Sequence, residues 1–254
     1  LYNRTYTTSP ALPIAGFTSN VTTGTVPFWV QFNDTSTELR NIVNYSQQFD
    51  NAAWGKDDVT VTANAVIAPD GTLTADKIVE DTADDVHGVY QDLTLQSNTA
   101  YTMSVYAKKG ERNWLRLTFK DKAGTTTGTY FNIDSGVIAT TTNEGTPTIT
   151  DMGNGWYRCS ILQDSSSGAT TPRFSVRAAT DDAVAWYPGD AAKGIYVWGA
   201  QVERYVPNGY YAIPTDYIQT TSTSASYDAP TEWYWEFGDG NTGIIQNARS
   251  AQPG

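Results

Sequence analysis

The chain of 254 residues contains a single cysteine, Cys159, and a single histidine, His87. One cysteine excludes an intrachain disulfide, and the strand-like alternation around Cys159 predicts a small buried side chain rather than a reactive thiol. His87 stands in an acidic loop, where we expect a solvated residue and not a general base. No serine–histidine–aspartate, cysteine–histidine or zinc-type spacing is present. We therefore predict that the protein is not an enzyme, with a carboxylate pair for glycoside cleavage as the open alternative.

Long apolar runs and excess positive charge are also missing. No stretch approaches 18 consecutive apolar residues, so no membrane insertion is predicted. The 27 acidic residues outnumber the 16 basic ones, for a net charge of −11. Such an acidic chain repels nucleic acid and anionic membranes, and we expect neither as a partner. Leu1 opens no apolar leader, which leaves open a fragment, a processed product or the ordered part of a longer chain.

The sequence contains many short runs in which apolar and polar residues alternate. Turn-forming Gly, Asn, Asp and Pro bound these runs, a pattern typical of strands in a sandwich or barrel. The only helical candidate is a short turn around residues 46–54, so the predicted fold class is all-β. The clearest alternating sets are Phe28/Val30/Phe32, Tyr101/Met103/Val105/Ala107, Leu115/Leu117/Phe119, Phe174/Val176/Ala178 and Ile195/Val197/Gly199.

Two separated segments resemble complementary parts of one polycystic kidney disease-type (PKD) domain, which is an Ig-like β-sandwich. Residues 15–37 (AGFTSNVTTGTVPFWVQFNDTST) resemble its opening strands, and residues 230–240 (PTEWYWEFGDG) resemble the hairpin that should follow them directly. The resemblance implies that a second domain is inserted at an exposed loop tip between the two parts. It also implies two more strands beyond residue 254, which another chain, a disordered continuation or a truncated sequence would explain.

The segment between the two parts resembles a jelly-roll module that is common in phage tail and head-fibre proteins. That module is similar in turn to a broad superfamily of carbohydrate-binding modules. The matching motifs are NIVNYSQQF (41–49) followed by Trp54, GTLTADK (71–77), VYQ (89–91), YTMSVYAK (101–108), NGWYR (154–158), VWGAQVE (197–203) and YIQTT (217–221). The predicted organisation is an N-terminal extension (1–14), the first PKD-like part (15–37), the inserted jelly roll (38–221), a linker (222–229) and a second PKD-like part without its last strands (230–254).

Sugar binding requires exposed aromatic rings and polar groups that hydrogen-bond hydroxyls. In the run 113–117 the leucines are expected to point inward, which turns Trp114 and Arg116 to the other side of the strand. The same alternation places Arg173 and Arg177 opposite Phe174. Ordinary outward polar residues or a subunit interface are the alternatives, and the tryptophans of the family motifs (Trp156, Trp198, Trp233 and Trp235) are expected to pack. The predicted glycan-binding residues are Trp114, Arg116, Arg173, Arg177, Tyr106 and Trp186.

The residues themselves indicate no cofactor. The resemblance to carbohydrate-binding modules implies a structural calcium as an open alternative, because such modules often hold one near their first and last strands with carboxylates and backbone carbonyls. Gln201 occupies the region where the superfamily's acidic residue is expected. Asp50 and Glu203 are therefore the candidate calcium ligands.

The resemblances together imply a virion surface protein, a decoration or fibre component with an extracellular location. We expect the jelly roll to bind host-cell or environmental polysaccharide weakly and in several copies per particle, beside other virion subunits. One alternative is a purely structural capsid or tail decoration protein. Another is a secreted carbohydrate-binding accessory module of a polysaccharide-degrading enzyme. The sequence leaves the glycan, the copy number and the source organism open.

Overall fold

The chain divides into two compact units, a larger one of residues 40–225 and a smaller one of residues 1–39 and 226–254. Among the described residues there is no helix, and so none that could cross a membrane. The computed structural model describes residues 41–142, 145–205 and 214–222, and the strand backbones at 17–19, 32–34, 40, 225–226, 232–236 and 242–246.

The described residues form β-strands connected by turns, and the all-β prediction is confirmed. The candidate helical turn around residues 46–54 consists of non-helical turns and bends. The strands are β1 (Phe17–Ser19), β2 (Phe32–Asp34), β3 (Arg40–Asn41), β4 (Gly55–Asp57), β5 (Val59–Val66), β6 (Ala75–Glu80), β7 (Asp84–Asp85), β8 (Gly88–Asp92), β9 (Ala100–Lys109), β10 (Trp114–Lys120), β11 (Thr126–Asn132), β12 (Val137–Thr142), β13 (Thr146–Gly153), β14 (Trp156–Asp164), β15 (Arg173–Ala179), β16 (Tyr187–Pro188), β17 (Gly194–Arg204), β18 (Ala225–Ser226), β19 (Glu232–Glu236) and β20 (Thr242–Gln246).

Two six-stranded antiparallel sheets build the larger unit. The first sheet has the strand order β12-β11-β10-β15-β8-β4, and the second has the order β13-β14-β9-β17-β6-β5. Several neighbours, such as β10 and β15, lie far apart in the sequence, as expected for a jelly roll with crossovers between sheets. The predicted jelly-roll β-sandwich is thereby confirmed.

The hydrophobic core is built from the alternating sets that the sequence analysis identified. Leu115, Leu117 and Phe119 of β10 and Phe174 of β15 are fully buried and belong to one core cluster. Cys159 of β14 lies in the same cluster, and burial raises the pKa of its thiol well above the ordinary value. The predicted role of Cys159 as a small buried side chain is therefore confirmed.

In the smaller unit the structure describes two antiparallel strand pairs. Strand β1 pairs with β2, so that Phe17 lies opposite Asp34. Strand β19 pairs with β20, so that Trp233 lies opposite Ile245. The remaining residues of both PKD-like segments, including 237–241, lie outside the described residues. The PKD-type assignment therefore stays a prediction.

The first and last strands of the larger unit lie side by side. Strand β3 pairs with β18 in a two-stranded sheet. Next to this pair, the fully buried Asn41 donates from its side chain to the carbonyl oxygens of Ala200, at 3.0 Å, and Ile218, at 2.8 Å. Its side-chain oxygen accepts from the Val202 amide at 3.1 Å. One buried amide thus links the beginning of the jelly roll to its last long strand and to the segment that follows.

Candidate functional site

The side of the first sheet that faces away from the core carries a cluster of cations. Because the leucines of β10 point inward, Trp114 and Arg116 project from the opposite side. Strands β10 and β15 pair so that Arg116 lies opposite Arg177, and Lys120 opposite Arg173. We call this surface the arginine face. It comprises Trp114, Arg116, Lys120, Tyr130, Arg173, Arg177 and Tyr90.

Arg116 lies beside Tyr130 and, within the described residues, has no carboxylate partner. Its guanidinium carbon is 5.2 Å from the centre of the Tyr130 ring, the residue opposite it on β11. A Cβ atom at Gly128 would lie only 3.1 Å from Arg116 Nε, so the absence of a side chain there makes room for the guanidinium. Within the described residues Arg116 forms no ion pair, and its Nε is buried without a hydrogen-bond partner.

Arg177 lies beside Arg116 and is only partly neutralised. Its Nη2 is 2.9 Å from a carboxylate oxygen of Asp57 in β4, whereas its Nη1 is buried without a hydrogen-bond partner. Burial lowers the pKa of Arg177, Asp57 opposes this change, and the neighbouring positive charge of Arg116 adds to it. Of these two neighbouring guanidinium groups, Arg177 is paired with a carboxylate and Arg116, within the described residues, is not.

Arg173, by contrast, has a complete set of partners. Its guanidinium donates to both carboxylate oxygens of Asp92, at 2.7 and 3.0 Å, and lies 3.7 Å from the centre of the Tyr90 ring. The hydrogen bonds from Arg173 lower the pKa of Asp92. Tyr90 in turn lies directly over Gly55, where a Cβ atom would overlap the ring. At this corner of the arginine face, Arg173 stacks on the Tyr90 ring, and Asp92 balances its positive charge.

The structure does not bring Tyr106 and Trp186 to the arginine face. Tyr106 belongs to β9 in the second sheet and is only 6% exposed. Its ring contacts those of Trp198 and Tyr217, and the Arg158 guanidinium lies 5.0 Å from its centre. Trp186 is 64% exposed, in the loop before β16 and on no strand of the first sheet. Of the six predicted residues, the arginine face therefore unites Trp114, Arg116, Arg173 and Arg177.

The outer side of the second sheet is covered by the chain itself. Tyr217 packs against Trp198 with ring centres 4.6 Å apart, and Arg158 donates to the Thr215 carbonyl oxygen at 2.6 Å. Trp156 and Trp198 are buried, as expected for packing residues. The side chains of Trp233 and Trp235 lie outside the described residues. Since residues 214–222 lie against this side, it is a packing surface.

Asp50 and Glu203 do not fit the expected calcium site. The Glu203 carboxylate accepts hydrogen bonds from the Thr215 amide at 2.8 Å and from the Gln201 side chain at 3.1 Å. It also accepts from the Thr215 hydroxyl, so protein donors already use both its oxygens. The Asp50 carbonyl oxygen accepts from Lys56 Nζ at 3.0 Å. No group of three acidic, histidine or cysteine side chains suited to a metal occurs in the part of the chain that the structure describes.

His87 is buried, so the prediction of a solvated loop residue is wrong. Its side chain is fully shielded from water, with Nδ1 2.8 Å from the Asp58 carbonyl oxygen and Nε2 3.2 Å from that of Tyr187. The acidic neighbours in the sequence suggested exposure, but strands β7 and β16 pair beside the ring. His87 therefore links the turn at Asp58 to strand β16, and both of its ring nitrogens lie against backbone carbonyl oxygens.

A buried ion pair lies at the same end of the sandwich. The Glu80 carboxylate accepts two hydrogen bonds of 2.7 Å from Arg112 and one of 2.7 Å from the Tyr187 hydroxyl. The Asp190 amide donates a fourth at 3.1 Å. Arg112 also lines an open depression together with Thr82, Thr180 and residues 187–193. The network holds the loops at this end in place.

Comparison with known proteins gives a likeness only among solved structures. No family model and no curated protein matches the sequence. The chain is similar to the enzymatically active domain of bacteriophage CBA120 tailspike protein 4, with 18% identity and a TM-score of 0.40 over 65% of this chain and 21% of that one. It is also similar to TmCBM61, solved with β-1,4-galactotriose (13% identity, TM-score 0.39, 65% of this chain and 99% of that one). A third likeness is to TmCBM27, a mannan-recognising carbohydrate-binding module (14% identity, TM-score 0.35, 66% and 98%).

The chain thus spans about a fifth of the tailspike domain, and at these identities the likenesses concern the fold alone.

The sequence analysis did not identify Tyr130 of the arginine face or Asp57, the carboxylate that pairs with Arg177. Tyr130 precedes the inward-facing Phe131, so its outward position was available from the alternation in β11. Asp57 reaches Arg177 from a strand 120 residues away in the sequence. A local sequence pattern cannot predict an ion pair between residues so far apart in the chain.

Proposed function

We propose that the larger unit is a non-enzymatic glycan-binding module on a virion surface, and that the arginine face is its binding surface. The observation that carries the proposal is the pair Arg116 and Arg177, which lie opposite each other on β10 and β15, whereas only Arg177 is paired with a carboxylate, that of Asp57. Guanidinium groups donate several N–H groups in a fixed plane, which suits the hydroxyl and acid groups of sugars. The virion location is supported by the resemblance of the sequence motifs to phage fibre modules.

An aromatic ring completes this surface. Trp114 lies two residues before Arg116 on the same side of β10, and its side chain is half-buried at the sheet surface, so little conformational freedom is lost when a flat ligand stacks on it. Tyr130, opposite Arg116 on β11, is only 4% exposed and supports the Arg116 guanidinium. A few polar and aromatic contacts of this kind give weak affinity per site. Many copies on one particle would multiply it into firm adsorption.

A structural decoration role is the second candidate, and one observation favours it. Val137 and Ile138 of the edge strand β12 are 51% and 37% exposed. Exposed apolar residues on an edge strand are a common means of contact with another subunit. Under this alternative, the arginine face has no sugar ligand.

The first prediction is that the full chain binds selected glycans on a broad array and that Arg116→Ala weakens this binding at least about 10-fold. Trp114→Ala is expected to act in the same direction because it removes the stacking surface. Arg204→Ala is the matched control, since Arg204 is an exposed arginine of the second sheet. Its affinity should equal that of the wild type. A folded chain that binds no glycan at millimolar concentration would contradict the proposal and favour the structural role.

A further inference from the structure

We propose that the glycan on the arginine face is acidic, and that its carboxylate or phosphate group binds between Arg116 and Arg177. This inference rests on the proposed function and deepens it. The two arginines are direct neighbours on antiparallel strands, where Cβ atoms lie about 4.5–5.5 Å apart and like charges repel. An oxyanion between them converts that repulsion into two attractive, charge-assisted interactions.

The charge balance of the face supports an anionic ligand. Arg173 is matched by Asp92, and Arg177 by Asp57. In the part of the chain that the structure describes, Arg116 and Lys120 form no ion pair. This excess of positive charge lies on a protein whose net charge is −11. A local cationic surface on an acidic protein selects acidic partners while the rest of the molecule repels them.

Unpartnered N–H groups of the two arginines also favour an anionic ligand. Arg116 Nε and Arg177 Nη1 are shielded from water and have no partner. A buried N–H group without an acceptor costs free energy, and more so when the group is charged. An acid group bound at the accessible side of the two guanidinium groups places a negative charge beside these unpartnered N–H groups. A neutral hydroxyl is a weaker acceptor and leaves the positive charge of Arg116 uncompensated.

The test compares acidic and neutral glycans with the full chain. On an array with uronate-bearing, phosphate-bearing and neutral glycans, the bound set is expected to be acidic, and its acid class identifies the group. Reduction of the carboxyl groups, or removal of the phosphate, should then weaken binding at least about 10-fold, as should Arg177→Gln. Arg204→Gln is the control.

Two results separate this inference from the proposed function. If the bound glycans are neutral, or if carboxyl reduction leaves the affinity unchanged, the acid group is wrong while glycan binding stands. If no glycan binds, the proposed function fails, and the inference fails with it.

A second, independent observation concerns the turn before β4. Lys56 Nζ donates to three backbone carbonyl oxygens, those of Asp50 at 3.0 Å, Asn51 at 2.7 Å and Trp54 at 2.9 Å. Three acceptors require all three N–H groups of the charged ammonium. We infer that this turn is a cation site that the chain fills with its own lysine.

The surroundings of the ammonium suit a metal ion. Carbonyl and carboxylate oxygens are the ligands that Ca²⁺ prefers. Burial lowers the pKa of Lys56, whereas the negative charges of Asp50 and Asp76 raise it, so both carboxylates act on the same point. Asp76 itself is fixed by hydrogen bonds from the Phe49 amide at 2.8 Å and the Asn64 amide at 2.9 Å. The turn that contains Asp50, one of the two candidate calcium ligands, therefore already holds a tethered ammonium.

Once the Lys56 side chain is removed, we expect the turn before β4 to bind Ca²⁺. We expect Lys56→Ala to lower the Tm of the full chain by roughly 3–8 °C, and millimolar Ca²⁺ to restore at least half of the loss. Lys56→Met fills the same space without a charge and should lose stability without responding to Ca²⁺. The wild type and Lys109→Ala, which removes an exposed ammonium paired with Asp134, should ignore Ca²⁺. An unchanged Tm in Lys56→Ala, or a loss that Ca²⁺ does not restore, would overturn the inference.

Discussion

Replacement of Glu80 by Gln is expected to lower the free energy of unfolding of the larger unit by about 3–5 kcal/mol. The Glu80 side chain is fully buried, and its two oxygens accept four hydrogen bonds, two of them from Arg112. A glutamine accepts through only one of these atoms, and it leaves the Arg112 charge without a counter-ion. Urea unfolding followed by tryptophan fluorescence measures the loss.

The matched control is Glu111→Gln. Glu111 pairs with Lys77, but its side chain is 45% exposed. Exposed ion pairs contribute about 0–1 kcal/mol, so this variant should remain close to the wild type. If the two variants lost the same small amount, the Glu80 network would not be a stabilising feature of the fold.

The same network makes a prediction about pH. Burial alone would raise the pKa of Glu80, but the hydrogen bonds from Arg112 and Tyr187 outweigh it and hold the pKa below its usual value. A carboxyl group whose pKa is lowered in the folded state stabilises the fold at pH values above its pKa in the unfolded chain, which is about 4.3 for Glu. That contribution is lost as the pH falls through the folded pKa. The stability difference between the wild type and Glu80→Gln should therefore shrink below about pH 4.

Replacement of Phe174 by Ala is expected to cost about 3–5 kcal/mol, the range for a large aromatic side chain removed from a packed core. Phe174 is fully buried in β15 and lies opposite Phe119 of β10, which is also fully buried. The cavity would open between the two strands that carry Arg173, Arg177 and Arg116. We expect glycan affinity to fall together with stability, because the arginine face is supported by these strands.

Val137→Ala provides the control for the core variant. Val137 is 51% exposed on the edge strand β12, and the loss of two exposed methyl groups should change stability by less than about 0.5 kcal/mol. Differential scanning calorimetry of both variants measures the contrast. A loss below about 1 kcal/mol for Phe174→Ala would show that this part of the sandwich repacks around the missing ring.

Local alternation was enough to predict the fold class and the shared face of four residues, Trp114, Arg116, Arg173 and Arg177. In β10 and β15 a period of two determines which side each residue takes, so Trp114 and Arg116 were correctly separated from the leucines. The same alternation correctly predicted that the Tyr106 side chain points away from the core between the two sheets. It could not show that β9 joins the second sheet, because strand order depends on pairings between distant segments. For this reason the sequence could not show that Tyr106 is buried on the other sheet, away from the arginine face.

Residues that depend on loops were harder to place. The chain around His87 is acidic, but its burial results from the approach of Tyr187, 100 residues later. The calcium expectation had a similar difficulty. The sequence showed acidic residues near the turn, whereas the decisive group is the Lys56 ammonium, whose partners are backbone carbonyls. The amino-acid sequence does not show which backbone carbonyl oxygens will lie around a side chain, because that depends on the folded conformation.

The pairing of β3 with β18 has a consequence for the order in which the chain folds. Residues 1–39 and 226–254 belong to one unit, and residues 40–225 separate its two parts in the sequence. If residues 40–225 were unfolded, closing that loop would cost about 4–5 kcal/mol of chain entropy. Once they are folded, their two ends lie on adjacent strands, and the connection behaves as a short hairpin. If the jelly roll folds first, most of the entropy cost of bringing residues 39 and 226 together is thereby removed.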